Sequence, residues 1–343
     1  MSGKNCIQQL ISDLPKITNT AQIGGVETAV LDNGAARGVR VAYFNTGGGL
    51  RFKVAIDRAM DIAEASLLET NFAWISKRGI VAPETCRGMN WLARFGGGLF
   101  TTCGLAHVGP PETNARGGFC LHDDISNIPA QVVRIVKPNR ENGFEIALEG
   151  EVLQSTVFGA HLLLRRRITT HLLSRRIEVE DVVTNVGNTP APNMVLYHCN
   201  LGYPLIDEGT ELQWRGTATP ANPNDPIMGG GRDFSVCRAP LAEHAGAKES
   251  VAFIDPIPDA DGICSCRATN AKIGKGLKIS FPKKALPHLI NWQHWGAGEY
   301  VCALEPATNP PIGQAKAEAE GKLKMLAPEE SAKYSLCFEA FEI

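Results

Sequence analysis

Short apolar or alternating runs, each closed by turn-forming residues, recur along the whole chain. This punctuation limits the fold more than any other feature. VRVAYFNT (39–46) and LRFKVAI (50–56) flank a triple-glycine turn and read as a hairpin. QVVRIVK (131–137) and GFEIALEGEVL (143–153) surround the polar turn PNREN, and HLLLRRRITTHL (161–172) and RRIEVEDVVTN (175–185) form a longer pair. In the last run Ile177, Val179 and Asp181 share one face, with Glu178, Glu180 and Val182 on the other. Further strands are expected at 193–200, 249–255, 276–281, 288–293, 300–305, 321–327 and 331–343. The 35 glycines and 21 prolines, about one residue in six, make a chain that turns often and favours many short strands. Helical signals are confined to CIQQLISDL (6–14), stopped by Pro15, and to 312–321.

The expected fold class is all-β, with antiparallel sheets and few short helices. Neither a repeat nor a low-complexity linker divides the chain, so residues 1–343 are expected to form one domain, with 1–24 as a helical or extended lead-in. The stretch 217–233 is loop-like in composition and reads as a long loop over one face, a candidate binding loop.

Several function classes drop out. The net charge is −2, which gives no sign of nucleic acid or an anionic membrane as partner. No apolar run approaches the ~18–20 residues of a membrane helix. Asp13 interrupts the first apolar stretch, so no secretory signal is expected. The ten cysteines are dispersed in strand-like surroundings and form no C-x-x-C pair, which points to a reduced, cytoplasmic protein without a disulfide framework or zinc motif. Cys264-Ser265-Cys266 is explained by strand alternation. The glycine clusters 95–99 and 228–232 open no helix that would cradle phosphate. Arg165, Arg166 and Arg167 are expected to alternate across a solvated face and to pair with Glu178 and Glu180 over the hairpin.

Three ionisable side chains stand within otherwise apolar strands or turns: His122 in GGFCLHDDISNIPA, His198 in NMVLYHCNLGYPLID and Glu305 in YVCALEPATNPPIGQ. A carboxylate at the end of V-C-A-L, just before Pro306, either needs a buried partner or lies exposed at the strand end. Taken singly, a histidine placed like His198 is more often a satisfied core residue than a catalyst; with Asn200 two residues on and on the same face, it also fits an acid–base set. The adjacent aspartates Asp123 and Asp124 give His122 turn character.

At these residues the sequence resembles the aldose 1-epimerase (galactose mutarotase-like) superfamily, and more closely an uncharacterised bacterial branch of it. DVVTNVGNTPAPNMVLYHCNLGYPLID (181–207), FCLHDD (120–125) and VCALEP (301–306) fall in the family's order. DRAMDIAE (57–64) and NWLARFGGGLFTTCGLAHVGPP (90–111) are similar to the specific branch, and the likeness spans roughly residues 25–343. It implies a β-supersandwich with a sugar groove on one face and a cofactor-independent isomerase of carbohydrate metabolism. By the same resemblance Glu305 is the general base on the anomeric hydroxyl, His198 the general acid on the ring oxygen, and His122 a hydrogen-bonding partner of the substrate. Arg94 or Arg58 is nominated to contact sugar hydroxyls. Asp57 and Asp61 line the groove or cap a turn. Trp91, Trp292 and Trp295 offer stacking faces or belong to the core, and His107 and His294 are secondary candidates. The sequence departs from the family at Cys199, Asp123 and Asp124.

Two other readings fit the same residues. His122, His198 and Glu305, with Asp123 as a fourth, are a competent ligand set for a metal-assisted isomerase or lyase acting on a keto- or acidic sugar. A non-catalytic sugar-binding module is the other. A small carbohydrate is the expected partner in each case, and a homodimer is compatible with all of them.

Overall fold

The computed structural model describes residues 3–246 and 248–343, with side chains from residue 8 onward. The strands assemble into antiparallel sheets, and the helices are short. An eight-stranded sheet runs in the order Gln131–Val136, Glu145–Ser155, His161–His171, Arg176–Asn185, Ser331–Glu342, Lys275–Pro282, Ile263–Asn270 and Glu211–Trp214. A seven-stranded sheet runs Gly216–Pro220, Ser250–Pro256, His288–Gly296, Glu299–Ala307, Met194–His198 and Thr101–Leu105, with Asn200–Leu201 also on Glu299–Ala307. A five-stranded sheet comprises Gly25–Val30, Arg40–Asn45, Leu50–Ala55, Asp61–Leu67 and Thr70–Asn71. The all-β expectation holds, and no helix among the described residues is long and apolar enough to cross a membrane.

Alternation explains the layers. In Arg176–Asn185 the inward set Ile177, Val179, Asp181 and Val183 is buried, while Glu178 and Glu180 are exposed. In the seven-stranded sheet Tyr197, Cys199, Cys302, Leu304 and Trp295 join the main core. The opposite face carries Cys103, Met194, Leu196, Ile290 and Ala307, which join a second core with Trp91, Phe95 and Cys120 from the covering loops. The central strands of the seven-stranded sheet are therefore buried on both faces.

Four expectations are corrected. Arg166 does not lie on a solvated face. It points between the sheets, directly opposite Asp181, with its side chain fully buried. Arg165 and Arg167 do face outward, but they bond Glu151, Glu145 and Glu149 on the preceding strand rather than Glu178 or Glu180. The 321–327 run yields only the two-residue strand Met325–Leu326, because Gly321 turns the chain at φ +66° after the helix Gln314–Ala319. The stretch 217–233 is not all loop. Its first residues belong to the strand Gly216–Pro220, and Ile227, Met228 and Phe234 bury a small apolar cluster of their own.

The N-terminal helix spans Gly3–Asp13. Leu10 enters the main core, whereas the Ile7 side chain lies outside the described residues.

Candidate active site

His198 and Glu305 meet through strand register. Leu196 pairs with Ala307, and Asn200 pairs with Ala303, which sets His198 directly across from Glu305. His198 Nε2 lies 3.3 Å from Glu305 Oε1, and both residues are buried. On the other flank Ile290 stands opposite Glu305 and Trp292 opposite Ala303, so Trp292 shares the same face.

His122 reaches this face from a loop. His122 and Asp123 both take left-handed backbone conformations, at φ +56° and +62°. Backbone bonds hold the turn: His122 N donates to Gly109 O at 2.9 Å, and Gly104 N donates to His122 O at 2.9 Å. The imidazole centroids of His122 and His198 lie 6.1 Å apart and nearly perpendicular.

Aromatic rings wall the trio. Trp91, from the 3₁₀ helix Gly88–Arg94, is 5.1 Å from the His122 ring and 6.4 Å from that of His198. Phe95 meets His198 edge-on at 5.1 Å, and Trp292 does so at 5.3 Å. Trp292 Nε1 donates to Glu249 at 2.6 Å, and its ring lies parallel to that of His294.

Burial sets the protonation states. It pushes Glu305 well above the ordinary carboxyl range, with the negative charge of Glu249 adding to the effect. It lowers His198 to about 4. For His122 burial comes first, then the neighbouring His198 and His107, and together they lower it to about 3. Both shifts disfavour the charged forms, so burial favours a carboxylic acid at Glu305 beside a neutral imidazole at His198. Among the described residues Glu305 Oε1, His122 Nδ1, His198 Nδ1 and Asn200 Oδ1 are buried without a hydrogen-bond partner. Buried polar groups are ordinarily paired, so these four atoms, on the trio and on Asn200, are open to a ligand.

The other nominated residues are distributed more widely. Asn200 lies beside the trio and donates from Nδ2 to His198 O at 2.7 Å. Trp91 and Trp292 are in the site walls. Trp295 is fully buried in the main core, with Nε1 donating to Gln293 at 3.1 Å. Arg94 forms an ion pair with Glu84. Arg58 is committed to loop architecture: its donors go to the carbonyls of Ser126, Val81 and Arg94. Asp57 binds Arg40, and Asp61 binds Thr102 and Arg166. His107 is fully buried, stacks on Phe119 and bonds Pro110 O at 2.8 Å. Asp123 accepts from the Ala106 and Asp124 amides, and among the described residues its carboxylate does not converge with the histidines and Glu305.

Sequence reasoning passed over Phe95 and Glu249. Glu249 follows from alternation, two residues before Val251, but only the register with His288–Gly296 places it beside Trp292.

The arrangement has relatives of known structure. A candidate aldose 1-epimerase from Klebsiella pneumoniae superposes with a TM-score of 0.82 at 23% identity, covering 94% of this chain and 86% of that one. A galactose mutarotase-like protein from Clostridium acetobutylicum gives 0.63 at 11% identity, covering 94% and 100%. A galactose 1-epimerase from Lactobacillus acidophilus NCFM gives 0.58 at 10%, covering 93% and 99%. At these identities the likeness establishes the fold, a galactose mutarotase-like β-sandwich. No curated protein matches the sequence. A family model described as a domain of unknown function, DUF4432, matches residues 36–340, and the chain accordingly belongs to the DUF4432 family.

Proposed function

We propose that this chain is a carbohydrate isomerase that interconverts the anomers of an aldose or aldose derivative by acid–base ring opening. One observation carries the reading: Glu305 and His198 stand 3.3 Å apart inside an aromatic enclosure, with polar atoms left unpartnered. An acid and a base held side by side are what ring opening needs, because the anomeric hydroxyl gives up a proton while the ring oxygen gains one. The neighbouring rings of Trp91 and Trp292 offer apolar faces to a pyranose.

The proton count follows from burial. In the free site the shared proton sits on Glu305 and His198 is neutral. One hop over the short gap yields the carboxylate and imidazolium. Glu305 then takes the O1 proton while His198 protonates the ring oxygen. The C1–O5 bond breaks, and C1 becomes an aldehyde carbon. At that point the pair is again carboxylic acid and neutral imidazole, the state its surroundings favour. Rotation about C1–C2, attack of the ring oxygen on the other carbonyl face and return of both protons give the second anomer. His122 is placed to hydrogen-bond a sugar oxygen.

NMR saturation exchange between anomers, run over a panel of free sugars, tests the reading. At least one sugar is expected to show exchange accelerated by the wild type, and Glu305→Gln should slow it by ~10²–10⁴-fold. If no sugar responds, the assignment fails. The acid limb of the rate profile should fall near pH 4, where His198 takes the second proton, and not near the ordinary histidine value.

A further inference from the structure

The turn that presents His122 also carries two of three metal-ligating side chains that converge next to the site. Cys86, Cys120 and Asp124 each place one donor atom within 4.8 Å of the other two, and both thiols are buried. The carboxylate is already oriented: Cys86 N and Asn127 Nδ2 each donate to Asp124 Oδ1 at 3.0 Å. The same Asn127 amide lies 2.9 Å from Cys86 Sγ, while its Oδ1 has no partner among the described residues. An amide donor aimed at a sulfur ligand is the outer-shell support seen around metal thiolates. Charge also balances. Two thiolates and a carboxylate carry three negative charges, a divalent ion leaves one, and the Arg58 guanidinium stands within electrostatic range of Cys86 and Asp124. Beside the cluster, a cavity of about 370 Å³ is lined by Cys86, Cys120, Arg87, Glu112 and Phe119, among others.

We propose that Cys86, Cys120 and Asp124 form a binding site for one zinc-type divalent cation, which clips the His122 turn to the segment leading into Trp91 and Phe95. Thiolate donors select zinc over magnesium or calcium, and water from the cavity completes the tetrahedron. Each thiol releases its proton when the ion binds. Cys120 and Asp124 flank two consecutive left-handed residues, a conformation that persists only where surrounding contacts over-determine it. Leu121 N donates to Gly88 O and Cys86 N to Asp124 Oδ1, both at 3.0 Å, between the same two segments, and the ion adds a further tie.

The full chain, kept reduced and stripped with a chelator, is titrated with Co²⁺ as a spectroscopic stand-in for zinc. A thiolate-to-metal charge-transfer band should saturate at about one ion per chain and disappear on adding Zn²⁺. Cys86→Ser and Cys120→Ser should each abolish or halve the band, and Asn127→Ala should weaken Zn²⁺ binding about tenfold or more. Should the serine variants misfold, hydrogen exchange over 117–124 in the wild type must slow when Zn²⁺ is added. A missing band, a band unchanged in Cys120→Ser, or exchange indifferent to Zn²⁺ overturns the site. So does a Cys86–Cys120 disulfide that persists under reductant. None of these readouts involves sugar turnover, so the metal site and the epimerase reading stand or fall separately.

Discussion

Two buried polar clusters lie on opposite faces of the seven-stranded sheet, and they are built on opposite terms. Between the sheets, Arg166 uses all five of its N–H donors: two on Asp181, one on Asp61, one on Thr102 Oγ1 and one on Ala59 O. Tyr197 adds a bond to Asp181 at 2.6 Å, and Thr102 donates twice to Asp61. Burial by itself lowers the Arg166 guanidinium, but Asp181 and Asp61 outweigh it and raise it above its ordinary value. The cluster draws one member or more from each of the three large sheets. On the outer face, His198 and Glu305 are buried and His122 is half-buried, and all three leave polar atoms unpartnered. A network whose groups are all matched holds a structure together. One whose groups are left open is prepared for something that arrives from outside.

The largest expected effect comes from breaking the matched cluster. Arg166→Met leaves Asp61 and Asp181 buried without their cation and should cost about 3–5 kcal/mol of stability, read from denaturant midpoints. Glu305→Gln should do the reverse, with anomer exchange collapsing as predicted above and stability at pH 7 nearly unchanged. An Arg166→Met protein as stable as wild type would erase the contrast.

A finer test uses pH. In the wild type, between about pH 6 and 5 the unfolded chain holds one proton on His198 and the native pair holds one on the raised Glu305, so over that window the pair contributes little slope. In Glu305→Gln the native state lacks that proton. The lowered His198 contributes stability above pH 6.5 that is lost on acidification towards about 4. The variant should therefore lose up to about 1.4 kcal/mol per pH unit relative to wild type. Parallel curves for the two proteins would show that the pair does not share one proton. The smallest effect belongs to a pair that water already solvates: Arg176→Ala, which frees Glu339, should change stability by less than about 1 kcal/mol.

Much of this was legible from strand periodicity, because an alternating pattern fixes which residues share a face. His198, Asn200 and Glu305 could be marked as ionisable or polar groups in apolar strands, and the family resemblance supplied roles for them. Arg166 was misplaced since three consecutive arginines look alike in sequence. Only the partner strand shows that the middle one meets Asp181 and the outer two meet glutamates on the preceding strand. Arg58 and Asp61 likewise carry the residue types expected of a sugar site, yet backbone carbonyls and Arg166 had already claimed them.

By itself, then, the sequence determined an antiparallel β fold and marked His122, His198 and Glu305 as ionisable groups within apolar strands and turns, because turn residues and alternation are local properties. The tertiary structure alone decided that residues 107 positions apart would stand 3.3 Å from each other, through a register that pairs Leu196 with Ala307 and Asn200 with Ala303. It also decided that Cys86, Cys120 and Asp124 would converge, since nothing in their spacing announces a contact made by two loops folding over the same sheet face.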